Sequence, residues 1–95
     1  MKCGKIFFSA HAVKRMFERS ISKEVIIRAI KTGEVIEEYP DDKPFPSVLV
    51  LGGVGGAVLH VVLALDAATA VCHVITVYIP DHLKWNEDFR RRRDK

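Results

Sequence analysis

Three side chains near the N-terminus have the types and the spacing of a phosphodiester site. His11, Arg15 and Arg19 recur every fourth residue, and a helix turns roughly 100° per residue, so the three would form one row on a helix. An imidazole can move a proton near neutral pH, and a guanidinium holds phosphate with a rigid fork of donors. The spacing therefore predicts a site that holds a phosphodiester and can cleave it.

Further candidates lie in the second half of the chain. Cleavage of a phosphodiester by side chains needs a base for the attacking hydroxyl, an acid for the leaving oxygen and cations for the charge on phosphorus. His60 and Tyr78 are the additional catalytic candidates. The arginine run at the C-terminus is either a phosphate-contacting tail or a solvated end. The candidate nucleic-acid-binding residues are Arg15, Arg19, Arg90, Arg91, Arg92 and Arg93.

Each candidate also has a purely structural interpretation. His11 can bond the backbone at a helix start, and the two helical arginines can pair with glutamates. His60 lies in an apolar stretch, which also suits a hydrogen-bonded core histidine, and Tyr78 suits a core residue with a bonded hydroxyl. Both interpretations stay open from the sequence alone. The glutamates that could pair with the arginines are Glu18, Glu34, Glu37 and Glu38.

Capping residues predict two helices near the N-terminus. Ser9 is a good N-cap for the helix that carries the row, and Ser22 caps a second helix over residues 23–31. Gly33 ends the second helix after a basic last turn. In the first helix the apolar side chains form one arc, which we expect to be buried: Ala12, Val13, Met16 and Phe17.

Apolar stretches separated by proline and glycine predict about four strands after the helices. They cover residues 34–39, 47–51, 57–65 and 70–79, and the first of them alternates as a half-buried or edge strand would. The third is apolar on both faces except at His60, which predicts a central strand. Tight glycine-rich turns favour antiparallel neighbours.

The chain ends are less regular. Residues 5–8 fit a short strand or an extended lead-in, and the segment that starts at Pro80-Asp81 is expected to form a short helix anchored by Trp85. The order of elements predicts an α+β fold, with two N-terminal helices on a roughly four-stranded, mainly antiparallel sheet and a short C-terminal helix. No repeat or linker divides residues 1–95, so one domain is expected.

Composition narrows the class of protein. A hydrophobic fraction of 48% is typical of globular domains, and the net charge of +3 is modest. Cys3 and Cys72 belong to no CxxC pair, so reduced thiols in a cytoplasmic protein are expected. No signal peptide is visible, and the apolar stretch over residues 57–65 is too short to span a bilayer. No residues have zinc-ligand spacing, so neither a metal nor a cofactor is expected.

Three blocks of the sequence resemble the DUF4258 family, small bacterial domains of unassigned function. The first block is Phe8-Ser9-Ala10-His11-Ala12 with Arg15-Met16 and Glu18-Arg19. The second is Gly33-Glu34-Val35-Ile36-Glu37-Glu38-Tyr39-Pro40-Asp41-Asp42, continuing through Pro44-Phe45-Pro46-Ser47 and Leu51-Gly52. The third is Leu59-His60-Val61-Val62, with Val77-Tyr78, Pro80-Asp81 and Trp85.

The DUF4258 family in turn looks like a relative of the toxin ribonucleases of the RelE, barnase and colicin type. Those enzymes share two N-terminal helices followed by an antiparallel sheet, so the resemblance implies a metal-independent ribonuclease that acts on RNA phosphodiesters. It also implies RNA and an antitoxin-like protein as candidate partners. The alternative is a non-catalytic domain that binds RNA or protein, and a homodimer through a strand edge is a further candidate assembly.

Overall fold

The computed structural model describes residues 3–54 and 56–93, with the backbone alone at Val54; Gly55 of the predicted glycine-rich turn and both ends of the predicted domain lie outside the described residues. The elements in chain order are β1 (Lys5–Phe8), α1 (Ala10–Arg19), α2 (Lys23–Thr32), β2 (Glu34–Tyr39), β3 (Ser47–Val54), β4 (Ala57–Asp66) and β5 (Val71–Tyr78). The α+β class is therefore confirmed.

The two helices begin where the capping residues predict. The Ser9 hydroxyl accepts a hydrogen bond from the backbone N–H of Ala12, and the Ser22 hydroxyl accepts one from Val25. Each bond satisfies one of the N–H groups that a helix start leaves without a partner. Ser20 ends α1 in a left-handed conformation, with φ of 54°. Ser9 also bonds β5 through its own hydroxyl, which fixes the start of α1 against the sheet.

The sheet has five strands in the order β1-β5-β4-β3-β2, one more than the roughly four expected. The extra strand is β1, which pairs in parallel with β5, whereas the other neighbours are antiparallel. β4 is the central strand, as its apolar sequence predicts, and β2 is an edge strand. The parallel pairing joins segments far apart in the chain, so the local pattern of residues 5–8 does not reveal it.

The apolar core lies between the helices and one face of the sheet. α1 packs on β5 and α2 packs mainly on β3. The expectation that the whole apolar arc of α1 is buried is wrong. Ala12 and Met16 are buried, but Val13 is 43% exposed and Phe17 is 87% exposed. The helix therefore buries only part of its apolar arc against the sheet.

The expected C-terminal helix is wrong for the described residues. The carbonyl of Asp81 accepts hydrogen bonds from the N–H groups of Lys84 and Trp85, which makes one turn only. The chain then folds back on itself, because the N–H of Arg93 bonds the carbonyl of Lys84, and Phe89 has a φ of 60°. The segment over residues 81–93 is therefore an irregular loop.

The two cysteines form a disulfide, so the expectation of reduced thiols is wrong. Cys3 and Cys72 are 69 residues apart in sequence, and their Cα atoms lie 5.5 Å apart. The pairing of β1 with β5 places Cys3 just before the strand whose residue Ile6 lies beside Cys72. The pair closes a loop that contains both helices and the strands β1 to β4.

Candidate functional site

A β-bulge in β5 brings Tyr78 onto the same face of the sheet as His60. Val62 pairs with Thr76 and Leu63 pairs with Val74, so Ile75 has no partner in β4. Without this extra residue, Tyr78 would share the face of Val74, which belongs to the helix-covered core. With it, Tyr78 lies directly opposite His60 on the face away from the helices.

The hydrogen bonds of His60 determine which ring nitrogen carries the proton. Its side chain is 0% exposed, and burial lowers its pKa below 6.5, so the ring is neutral at neutral pH. Nε2 lies 2.9 Å from the carbonyl oxygen of Phe89, which can only accept, so Nε2 carries the proton. Nδ1 is therefore an acceptor, and it lies 3.2 Å from the hydroxyl of Tyr78.

The hydroxyl of Tyr78 consequently donates its only proton to His60. Burial raises the pKa of Tyr78, so the phenol keeps this proton at neutral pH. The lone pairs of its oxygen are free to accept a hydrogen bond from a ligand. The pair thus links a phenol that lines the neighbouring cleft to a buried, neutral imidazole whose Nδ1 accepts a hydrogen bond.

The C-terminal loop covers His60 on its outer side. The ring of Trp85 meets the imidazole edge to face, with centroids 4.4 Å apart. The guanidinium of Arg92 lies 4.5 Å from the centroid of the Trp85 ring, within the range of a cation–π contact. Trp85 is thus the packing anchor that the sequence predicts, and it also supports a cation beside the site.

A second bulge brings an acidic partner to Arg92. Ile36 has no partner in β3, so Glu37 and Tyr39 lie on the site face. A carboxylate oxygen of Glu37 lies 3.5 Å from Nε of Arg92. The Tyr39 hydroxyl donates to Glu37, and burial together with this contact raises the pKa of Tyr39 to about 12. Glu37 therefore pairs with the guanidinium that lies over Trp85, although the Arg92 side chain is still 60% exposed.

An open cleft of about 580 Å³ lies beside this cluster. Tyr78 and Trp85 form part of its wall, and Arg19 reaches it from the end of α1. Its cations outnumber its one carboxylate, so the cleft favours an anion. The complete lining is Arg19, Tyr78, Ile79, Asp81, Lys84, Trp85 and Arg92.

The helical row that the sequence predicts is divided by the structure. Nε2 of His11 lies 3.1 Å from the hydroxyl of Thr76, at an exposed position. Arg15 forms an ion pair with Glu18, with 3.1 Å between nitrogen and oxygen. Only Arg19 of the row lines the cleft with Tyr78. The structure therefore brings Arg19 and Tyr78 to the cleft, with His60 bonded to Tyr78, and leaves His11 and Arg15, which lie earlier on α1, outside the cleft lining.

The arginine run is folded onto the sheet within the described residues. Arg90 contacts both carboxylate oxygens of Glu34 at 3.1 and 3.2 Å, and Nε of Arg93 donates to the carbonyl of His82 at 2.6 Å. Arg92 is the member of the run that lines the cleft, whereas Arg91 is exposed outside it. A count of charges cannot separate these roles, because each depends on the path of the C-terminal loop.

Two contributors to the site are absent from the sequence-based candidates. Lys84 lines the cleft, and the carbonyl of Phe89 sets the tautomer of His60. Lys84 belongs to no pattern of spaced functional residues, and the position of a backbone carbonyl cannot be predicted from residue types. Among residues 3–54 and 56–93, no three metal-binding side chains cluster, and no helix is long and apolar enough to cross a membrane.

The lowered pKa of His60 makes the stability of the fold depend on pH. The unfolded chain takes up a proton near pH 6.5, whereas the folded chain takes it up only at lower pH, so the contribution of neutral His60 is lost as the pH falls. We expect the loss in free energy of unfolding between about pH 7.5 and pH 5.5 to be smaller in His60→Gln than in the wild type. Urea denaturation at both pH values measures it, and equal losses would contradict this assignment.

Helices on one face of a mixed sheet, with a cationic cleft on the other, define a small α+β domain. The chain belongs to the DUF4258 family, described as a domain of unknown function, whose model matches residues 8–79. No curated protein and no solved structure matches the chain. The family match covers both helices and the strands that carry His60 and Tyr78, and it ends before the loop that carries Arg92.

Proposed function

We propose that this protein binds single-stranded RNA in the cleft and cleaves its phosphodiester bonds without a metal ion. The observation that carries the proposal is the Tyr78–His60 pair. Tyr78 lines an anion-favouring cleft, and its hydroxyl proton is directed to a neutral, buried imidazole.

The acceptor character of Tyr78 favours RNA over DNA. Its hydrogen is directed to His60, so its oxygen can recognise a hydrogen-bond donor in the cleft. The 2′-OH of ribose is such a donor, and it is the group that distinguishes RNA from DNA. The phenol ring of Tyr78, which lines the cleft, also suits an unpaired base, since aromatic side chains stack on bases.

The reaction that fits this geometry is attack of the 2′ oxygen on the adjacent phosphorus. The 2′-OH gives its proton to the oxygen of Tyr78 while the phenol proton passes to Nδ1 of His60. The bond from phosphorus to the 5′ oxygen breaks, and that oxygen takes a proton from water. The hydroxide left behind recovers the proton from His60 through Tyr78. The products are a 2′,3′-cyclic phosphate and a 5′-OH end.

The cations of the cleft stabilise the charge that develops on phosphorus. Arg92 contacts Glu37 and Trp85 and lines the cleft, where its charge can stabilise a phosphate. Arg19 and Lys84 also line the cleft. This is the type of activity that the resemblance to the RelE, barnase and colicin ribonucleases implies.

The other predicted residues take supporting roles in this proposal. His11 and Arg15 lie earlier on α1, outside the cleft lining, where they can contact a flanking phosphate of a longer RNA. An antitoxin-like partner and a homodimer stay predictions. The exposed side chains of Val13 and Phe17 are where a protein partner is best sought. A cytoplasmic location also stays a prediction, and the disulfide favours an oxidising compartment instead.

The test is cleavage of labelled single-stranded RNA by purified protein in the presence of a chelator. We expect the wild type to cleave and Arg92→Gln to be slower by about 100-fold, because one cation that lines the cleft is lost. Arg91→Gln is the matched control, since it removes the same charge from an exposed position outside the cleft.

Three outcomes of this assay are decisive. Cleavage that Arg92→Gln slows and Arg91→Gln does not supports the proposal. RNA that is bound but left intact supports the non-catalytic alternative. RNA that is neither bound nor cleaved at protein concentrations far above those of a contaminant contradicts the proposal altogether.

A further inference from the structure

A second surface on the sheet consists of three aromatic rings in one stack. His73 on β5 lies between Phe7 on β1 and Phe45 in the loop before β3. The centroids of Phe7 and His73 are 5.9 Å apart with 23° between the planes. Those of Phe45 and His73 are 5.7 Å apart with 3° between the planes. We call these three residues the aromatic stack.

The aromatic stack borders an apolar groove that is open to solvent. The groove has a volume of about 290 Å³, and Phe7 is 52% exposed although it is a large apolar side chain. Phe8, Pro44, Ala64 and Ile75 complete the apolar lining. The hydrophobic core lies on the opposite face of the sheet, so these rings are not part of it, and the core does not account for their exposure.

The aromatic stack and the cleft lie on the same face of the sheet. His73 pairs with Ala64 in β4, and Ala64 is four residues from His60, so both point away from the helices. His73 and Tyr78 pair with β4 residues only four apart, so about 13 Å separates them along the sheet. A single strand of about four nucleotides, the lower limit of known single-strand sites, spans such a distance.

We propose that the aromatic stack is a base-binding subsite for the single-stranded RNA whose phosphodiester occupies the cleft. Flat rings with an exposed face match the π-face of an unpaired base and tolerate any base. The nitrogens of His73 add polar groups that a base edge can contact. This inference rests on the proposed function, because the phosphodiester bound in the cleft fixes the position of the RNA relative to the aromatic stack.

The test measures RNA affinity of the wild type, Phe7→Leu and Phe45→Leu by fluorescence anisotropy with a labelled octanucleotide. Leucine keeps the apolar volume and removes the flat ring. We expect each variant to bind more weakly by about 5- to 100-fold, the range for loss of one stacked base. Phe17→Leu is the matched control, since Phe17 is 87% exposed on the other layer of the molecule, and its affinity should equal that of the wild type.

A second measurement needs no variant and therefore no assumption about folding. Octanucleotides that carry 2-aminopurine at one position each are titrated with wild-type protein, and the base that stacks on the rings loses fluorescence. We expect strong quenching at one position away from the cleaved bond.

Failure of this inference is distinguishable from failure of the proposed function. If the wild type binds RNA but Phe7→Leu and Phe45→Leu bind equally well and no such position is quenched, the aromatic stack is not an RNA subsite and is left to a protein partner. If the wild type neither binds the octanucleotide nor cleaves dinucleotides, the proposed function itself is wrong, and the inference fails with it.

Discussion

Replacing Tyr78 by phenylalanine is expected to lower the rate of RNA cleavage by about 10²- to 10⁴-fold, the usual contribution of a positioned proton-transfer group. The variant keeps the aromatic ring, so the strand pairing and the wall of the cleft are retained. Only the hydroxyl is lost, and with it the bond to Nδ1 of His60. RNA affinity should change much less, because Arg19 and Arg92 still face the phosphate.

Tyr39→Phe is the matched control for this experiment. Tyr39 is also half-buried on the same sheet face, but its hydroxyl donates to Glu37 and it does not line the cleft. We expect its cleavage rate to stay within about tenfold of the wild type, since it acts only by holding the partner of Arg92. If Tyr78→Phe cleaves RNA as fast as Tyr39→Phe does, Tyr78 takes no part in the reaction.

Removal of the disulfide by Cys3→Ser is expected to lower the free energy of unfolding by roughly 4 kcal/mol. The bridge spans 69 residues of sequence, and a crosslink that closes so long a loop restricts the unfolded chain strongly. Cys3 is the better position to change, because Cys72 is fully buried and a hydroxyl there would add a separate cost. Guanidinium denaturation measures the difference.

A reducing agent supplies the control for the disulfide. It should destabilise the wild type by about as much as the substitution does and leave Cys3→Ser unchanged. Wild-type protein that is equally stable with and without the reductant would show that the bridge does not contribute to stability. The same experiment indicates whether the fold would survive in a reducing compartment.

The local parts of the fold are predictable because their signals lie within a few residues. Ser9 and Ser22 start the helices because each bonds an N–H three residues later. The apolar run around His60 marks the central strand because both of its faces are covered. The positions of β1 and of the C-terminal loop are not predictable in this way, since both depend on contacts with strands distant in sequence.

The candidate site shows the same division. His60 and Tyr78 can be singled out by their residue types, but their contact depends on the bulge at Ile75, which no local pattern marks. Helical spacing places Arg15 and Arg19 on one side of α1 correctly. It cannot show that Arg15 pairs with Glu18 while Arg19 reaches the cleft. An arginine on this side of α1 can contact either a glutamate three residues away or the distant cleft, and helical spacing does not decide between the two contacts.

Cleavage of matched oligonucleotides tests the central claim most directly. A single-stranded RNA and the same sequence with a 2′-deoxy sugar at every position are incubated with wild-type protein and a chelator, and the products are identified by mass spectrometry. We expect the RNA to yield 2′,3′-cyclic phosphate and 5′-OH ends and the deoxy strand to stay intact. Intact RNA, or equal cleavage of both strands, would contradict a role for Tyr78 and His60 in activating the 2′-OH.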